Sequence, residues 1–156
     1  MPVPLRESKQ FSVDVDEIAS LINERTRLLI VNSPQNPTGG VMPKEDVAAL
    51  AEVLKKWPQV VVLSDEIYSD MLYDGEHHSI LTYPWMRDRT VLLDGFSKTF
   101  AMTGWRLGYG VMPADFAAQV ARLQTNSNSC TATFTHMAGA AARRGDIGAV
   151  TAMLEA

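Results

Sequence analysis

The sequence predicts an α/β fold built on a mostly parallel sheet covered by helices. Two observations carry this. Leu28–Asn32, Val60–Leu63 and Val91–Leu93 are apolar runs without polar alternation, the pattern of strands buried on both faces. Segments of helical periodicity separate these runs, and that alternation marks parallel strands joined by crossovers.

Val3 to Leu5 reads as the tail of a strand. Asp14-Val-Asp-Glu17 has the spacing of a capping box, with aspartate in the serine position; it opens a short helix whose apolar face is Val15, Ile18, Leu21 and Ile22. Leu28–Asn32 is the first strong strand, stopped by Ser33-Pro34. Pro43 starts a helix with Val47, Leu50, Ala51, Leu54 and Trp57 at helical spacing. Val60–Leu63 is the second strand and Asp74-Gly75 marks a turn. Val91–Leu93 is the third strand, and Leu107–Val111, richer in glycine, the fourth. Phe116, Val120 and Leu123 indicate a further helix. Two weaker helices follow, at Thr135–Ala142 and Ile147–Glu155.

The link from Thr99 to Trp105 is too short for a parallel crossover, which needs a dozen or more residues. The fourth strand therefore runs antiparallel, and its first residue, Arg106, returns to the edge where the first three strands end. Ligands of open α/β sheets bind at that edge. Asn36, Asp65, Lys98 and Arg106 are all expected there.

Composition sets outer bounds. The chain has 156 residues, 46% of them apolar and 21% charged, ordinary for a single globular domain. A net charge of −4 without a basic stripe argues against nucleic acid. No apolar run is long enough to span a bilayer, and no signal-peptide pattern opens the chain. The one cysteine, Cys130, cannot pair within the chain; it reads as a small buried hydrophobe and fits a cytoplasmic protein. His77 and His78, in a polar turn, read as solvated and show no metal-ligand pattern. The three tryptophans, Trp57, Trp85 and Trp105, read as packing residues. Asn126–Ser129 reads as a plain polar loop.

Three motifs follow the three strands: Ser33-Pro-Gln-Asn36-Pro-Thr-Gly-Gly40, Ser64-Asp65-Glu-Ile-Tyr68, and Asp94-Gly-Phe-Ser97-Lys98-Thr-Phe-Ala-Met-Thr-Gly-Trp-Arg106. As an ordered set they resemble the large domain of the class I/II aminotransferases, fold-type I enzymes that use pyridoxal 5'-phosphate (PLP). The resemblance runs from about Val3 to the early 140s. It implies that Lys98 is the Schiff-base lysine and that Asp65 pairs with the pyridine nitrogen. Tyr68 and Asn36 would both hydrogen-bond the cofactor's phenolic oxygen, with a cis Asn36-Pro37 bond. Ser97 and Arg106 would contact the phosphate, the arginine as a planar fork. Gly95 stands where many relatives carry a second serine. Glu66, facing away from Asp65, reads as structural.

The resemblance further implies amino-acid and 2-oxo-acid substrates and a homodimer, and gives Asn126–Ser129 an equal reading as a segment near a second subunit. Family members also have an upstream glycine-rich segment, a stacking aromatic residue and a C-terminal small domain. Residues 1–156 are thus expected to be a partial large domain without them, with open sheet edges and no activity alone. A PLP-dependent carbon–sulfur lyase of the same fold, or a non-catalytic remnant that binds a partner chain, are the alternatives.

Overall fold

The computed structural model describes residues 1–155. Its centre is a four-stranded sheet in the order β1-β2-β3-β4. β1 (Leu28–Asn32), β2 (Val61–Asp65) and β3 (Thr90–Gly95) are parallel, and β4 (Gly108–Val111) runs antiparallel to β3. Each strand thus pairs with its sequence neighbour, leaving β1 and β4 as the edges.

Side-chain parity decides what each strand buries. Val31, Val62, Ser64 and Thr90 point to one face and are buried. α1 (Val15–Leu21) and α2 (Lys44–Lys55) cover them, with Ile18, Val47, Leu50, Ala51 and Leu54 in the shared core. The Asp14 carboxylate caps α1 by accepting the Glu17 N–H at 3.2 Å. Glu17 does not complete the reciprocal half of a capping box; its carboxylate pairs with Arg6 instead. At the other end of α2, the Arg89 guanidinium donates to the carbonyls of Leu54 and Trp57, both at 2.8 Å. That contact adds a charged donor to carbonyls that already accept the Trp57 and Val60 N–H groups, and it pins the segment entering β3 against α2.

The opposite face differs from the expectation of strands buried on both sides. Leu28, Ile30 and Leu93 are 50%, 65% and 36% exposed, so within this chain the apolar run of β1 is covered on one side only. α3 (Ala114–Ser127) also leaves its apolar stripe open, with Leu123 72% exposed. α4 (Thr133–Arg144) does pack, its Gly139 lying so close to Leu107 that a Cβ would collide with it, and tight against Phe96. α5 (Gly148–Glu155) closes the described chain.

Three local expectations are corrected. Val3–Leu5 forms no strand and runs as irregular chain. Cys130 is exposed rather than buried, because the α3–α4 loop has no core beneath it. His77 is largely buried and lies 2.7 Å from a Glu66 carboxylate oxygen; the turn after Gly75 folds back under β2 instead of standing in solvent.

Candidate active site at the strand ends

Asn36, Asp65, Tyr68, Ser97, Lys98 and Arg106 come from four chain segments, and each lies at or just beyond a strand end on one edge of the sheet. Strand register makes the first link. Asn32 and Asp65 are Cα partners across β1 and β2, so the loop after β1 and the turn after β2 leave the sheet side by side.

The first loop is shaped by its own residues. The Ser33-Pro34 and Asn36-Pro37 bonds are both cis, Gly39 takes a left-handed φ of 74°, and Gly40 lies so close to the Phe11 carbonyl that a Cβ there would collide with it. The loop delivers Asn36 to Tyr68: Asn36 Nδ2 donates to Tyr68 Oη at 3.0 Å. The Tyr68 hydroxyl accepts this bond and so keeps its own proton to donate. A second hydrogen on Asn36 Nδ2 is likewise free of that contact.

Lys98 Nζ lies 5.5 Å from the centroid of the Tyr68 ring, within the range of cation–π attraction. Lys98 is half-buried, unlike Lys9, Lys44, Lys55 and Lys56, which are all exposed. Among the described residues its amine has no carboxylate partner within salt-bridge reach. Asp65 is half-buried at the end of β2, and one of its carboxylate oxygens accepts the Ile67 N–H at 3.3 Å. Its other oxygen has no hydrogen-bond donor among the described residues.

Ser97 is half-buried beside Lys98. Arg106 precedes β4 in a left-handed conformation, φ 54° and ψ 49°. That backbone costs a non-glycine residue roughly 1–2 kcal/mol, and such strain collects at functional sites. Its Nη1 donates to the Thr103 carbonyl at 3.0 Å; the exposed residue lines a cavity of about 690 Å³ together with Cys130 and Thr131. Asn36 and Tyr68 line a separate cavity of about 460 Å³. The structure therefore brings Asn36, Tyr68 and Lys98 together, keeps Asp65 and Ser97 close to them along the chain, and places Arg106 on a separate hollow.

This donor set fits PLP. An amine, two free hydrogen-bond donors at one point, an unsatisfied carboxylate oxygen and a guanidinium fork match an aldehyde, a phenolic oxygen, a pyridine nitrogen and a phosphate.

Two further residues support the site from behind. Asn32, read only as the end of a strand, hydrogen-bonds both loops. Glu66, 5% exposed, accepts from Ser64 at 2.9 Å and Ser79 at 2.8 Å besides meeting His77. The Asp-Glu pair therefore sends one carboxylate to the edge and one into the core.

A family model described as aminotransferase class I and II matches residues 1–156. An aspartate aminotransferase of Pyrococcus abyssi is 41% identical over 143 residues, covering 91% of this chain and 36% of that protein. An arginine–pyruvate transaminase of Pseudomonas aeruginosa is 45% identical over 123 residues, 79% of this chain and 31% of that protein. The crystal structure of an aromatic aminotransferase from Pyrococcus horikoshii matches with a TM-score of 0.94 at 38% identity, over 99% of this chain and 42% of that one. The chain spans about a third of the length of the curated relatives it matches.

Proposed function

This chain belongs to the aminotransferase class I and II family, and we propose that it carries the lysine-bearing core of a PLP-dependent aminotransferase acting on an amino acid and a 2-oxo acid. The observation that carries the reading is the meeting of Asn36 Nδ2 and Tyr68 Oη at 3.0 Å with Lys98 Nζ beside the same ring.

PLP, when bound, supplies an aldehyde and an electron-accepting ring. The chain's residues divide the remaining work. Lys98 Nζ would hold the cofactor covalently, and as a free amine it would hold and move the proton taken from the substrate carbon. The Asp65 carboxylate keeps a proton on the pyridine nitrogen by its negative charge. Asn36 Nδ2 and Tyr68 Oη donate to the phenolic oxygen. The Arg106 fork and the Ser97 hydroxyl orient the phosphate.

Residues 1–156 form, on this reading, part of a PLP-binding large domain, with substrate-carboxylate recognition supplied from outside them. A cytoplasmic homodimer is the assembly we assign; the unpaired Cys130 and the open apolar stripe of α3 support it.

The test is PLP addition followed by borohydride reduction and peptide mass spectrometry. A reduced pyridoxyl group on Lys98 is expected. A protein that acquires no adduct, or acquires one on another lysine, refutes the reading.

A further inference from the structure

We propose that Asn32 is a positioning residue that braces the two loops bearing the cofactor-facing donors, an inference that rests on the reading of the site given above. Asn32 ends β1 directly opposite Asp65. Its Nδ2 donates to the Asp65 carbonyl at 3.0 Å and to the Pro34 carbonyl at 3.3 Å. Its Oδ1 accepts the Asn36 N–H at 3.2 Å. Both amide hydrogens and one oxygen lone pair are therefore engaged. The partners also fix which way the amide points, since carbonyls only accept and an N–H only donates.

These bonds close a circuit. Asn32 holds the backbone of Asn36, the Asn36 side chain holds Tyr68 Oη at 3.0 Å, Tyr68 is three residues along the chain from Asp65, and the Asp65 carbonyl returns to Asn32. The two donors for the phenolic oxygen and the carboxylate for the ring nitrogen thus share one half-buried amide. The Asp65 carbonyl also accepts the Ser33 N–H at 3.2 Å, so it is the Asn36 N–H, which has only Oδ1 among the described residues, that depends on Asn32 alone. Small losses of orientation in such a shell are costly to catalysis even where no contact to the ligand is removed.

Two readouts test this, the first without any cofactor. In Asn32→Ala, amide hydrogen exchange at Asn36 should quicken by about fivefold or more, the factor that a net hydrogen bond carries, while Val62 in the core of β2 exchanges as in the parent. Unchanged exchange at Asn36 in Asn32→Ala overturns the proposal. So does exchange that quickens equally at Val62.

The second readout is the pH at which the visible absorption of Lys98-bound PLP changes. It should move upward in Asn32→Ala, because a phenolic oxygen with misplaced donors holds the nearby proton more firmly. A midpoint identical to the parent's overturns the proposal. If the parent takes up no PLP, the aminotransferase reading fails, while the exchange measurement still decides whether Asn32 braces the loops.

Discussion

Glu66 Oε2 and His77 Nε2 meet at 2.7 Å beneath the sheet, with side-chain exposures of 6% and 15%. Ser64 and Ser79 both donate to the other carboxylate oxygen of Glu66, so the carboxylate is enclosed by donors. Removing one partner from such a group leaves buried polar atoms without bonds. We expect His77→Ala to lower stability by about 1–3 kcal/mol, the range for an unsatisfied buried group. Urea unfolding monitored by tryptophan fluorescence measures it. A midpoint equal to the parent's shows that the pair adds nothing to stability.

Lys98→Ala should abolish covalent PLP attachment. The exposed Lys9, Lys44, Lys55 and Lys56 sit on surface turns and helix α2 or its end, away from the strand ends. Intact-mass measurement after borohydride treatment should show the bare polypeptide. An adduct mapped to Lys44 would mean that the site lies elsewhere.

Asp65→Asn should leave PLP attached and cut turnover in catalytically competent protein by about 10²–10⁴-fold, the size of effect that acid–base groups command. The amide keeps the shape of the side chain but carries no charge to hold a proton on the ring. Steady-state transamination assays decide it. Parent-level turnover would remove Asp65 from its assigned role.

Tyr109 is pushed up to about 12, first by burial and then by its hydrogen bond to Asp94. The ordinary phenol value is 10.0, so between these two values the folded state holds a proton that the unfolded state has released. The resulting stabilisation is complete below the lower value and is lost as pH rises through the upper one. Thermal unfolding of the parent should therefore lose more stability across this alkaline range than Tyr109→Phe does. Parallel curves for the two proteins would rule out that coupling.

Much of the site was legible because its residues sit at chain positions fixed by strand ends. The strand periodicity placed Asp65 and Lys98 on one edge. The short link before Leu107 sufficed to turn β4 around and return Arg106. What escaped was tertiary. Asn32 looks like the last letter of an apolar strand, and its bond to the Asp65 carbonyl spans 33 residues. His77 stands in a polar stretch, and only the folding back of that stretch beneath β2 buries it. The left-handed backbone of Arg106 follows no glycine signal. The open face around Ile30 has the same apolar run that a doubly covered strand would show, so sequence could not tell the two apart.

The adjacent carboxylates of β2 make the site sensitive to parity rather than to length. The exposed turn at Asp74 and Gly75 could gain or lose a residue without moving the strand ends. Inserting or deleting a single residue within Val61–Asp65 would instead exchange the two acids. Glu66 would swing toward the edge with a longer reach than the ring nitrogen requires, and Asp65 would be left too short to meet Ser79 and His77. The chemistry of the edge is thereby locked to the packing beneath it.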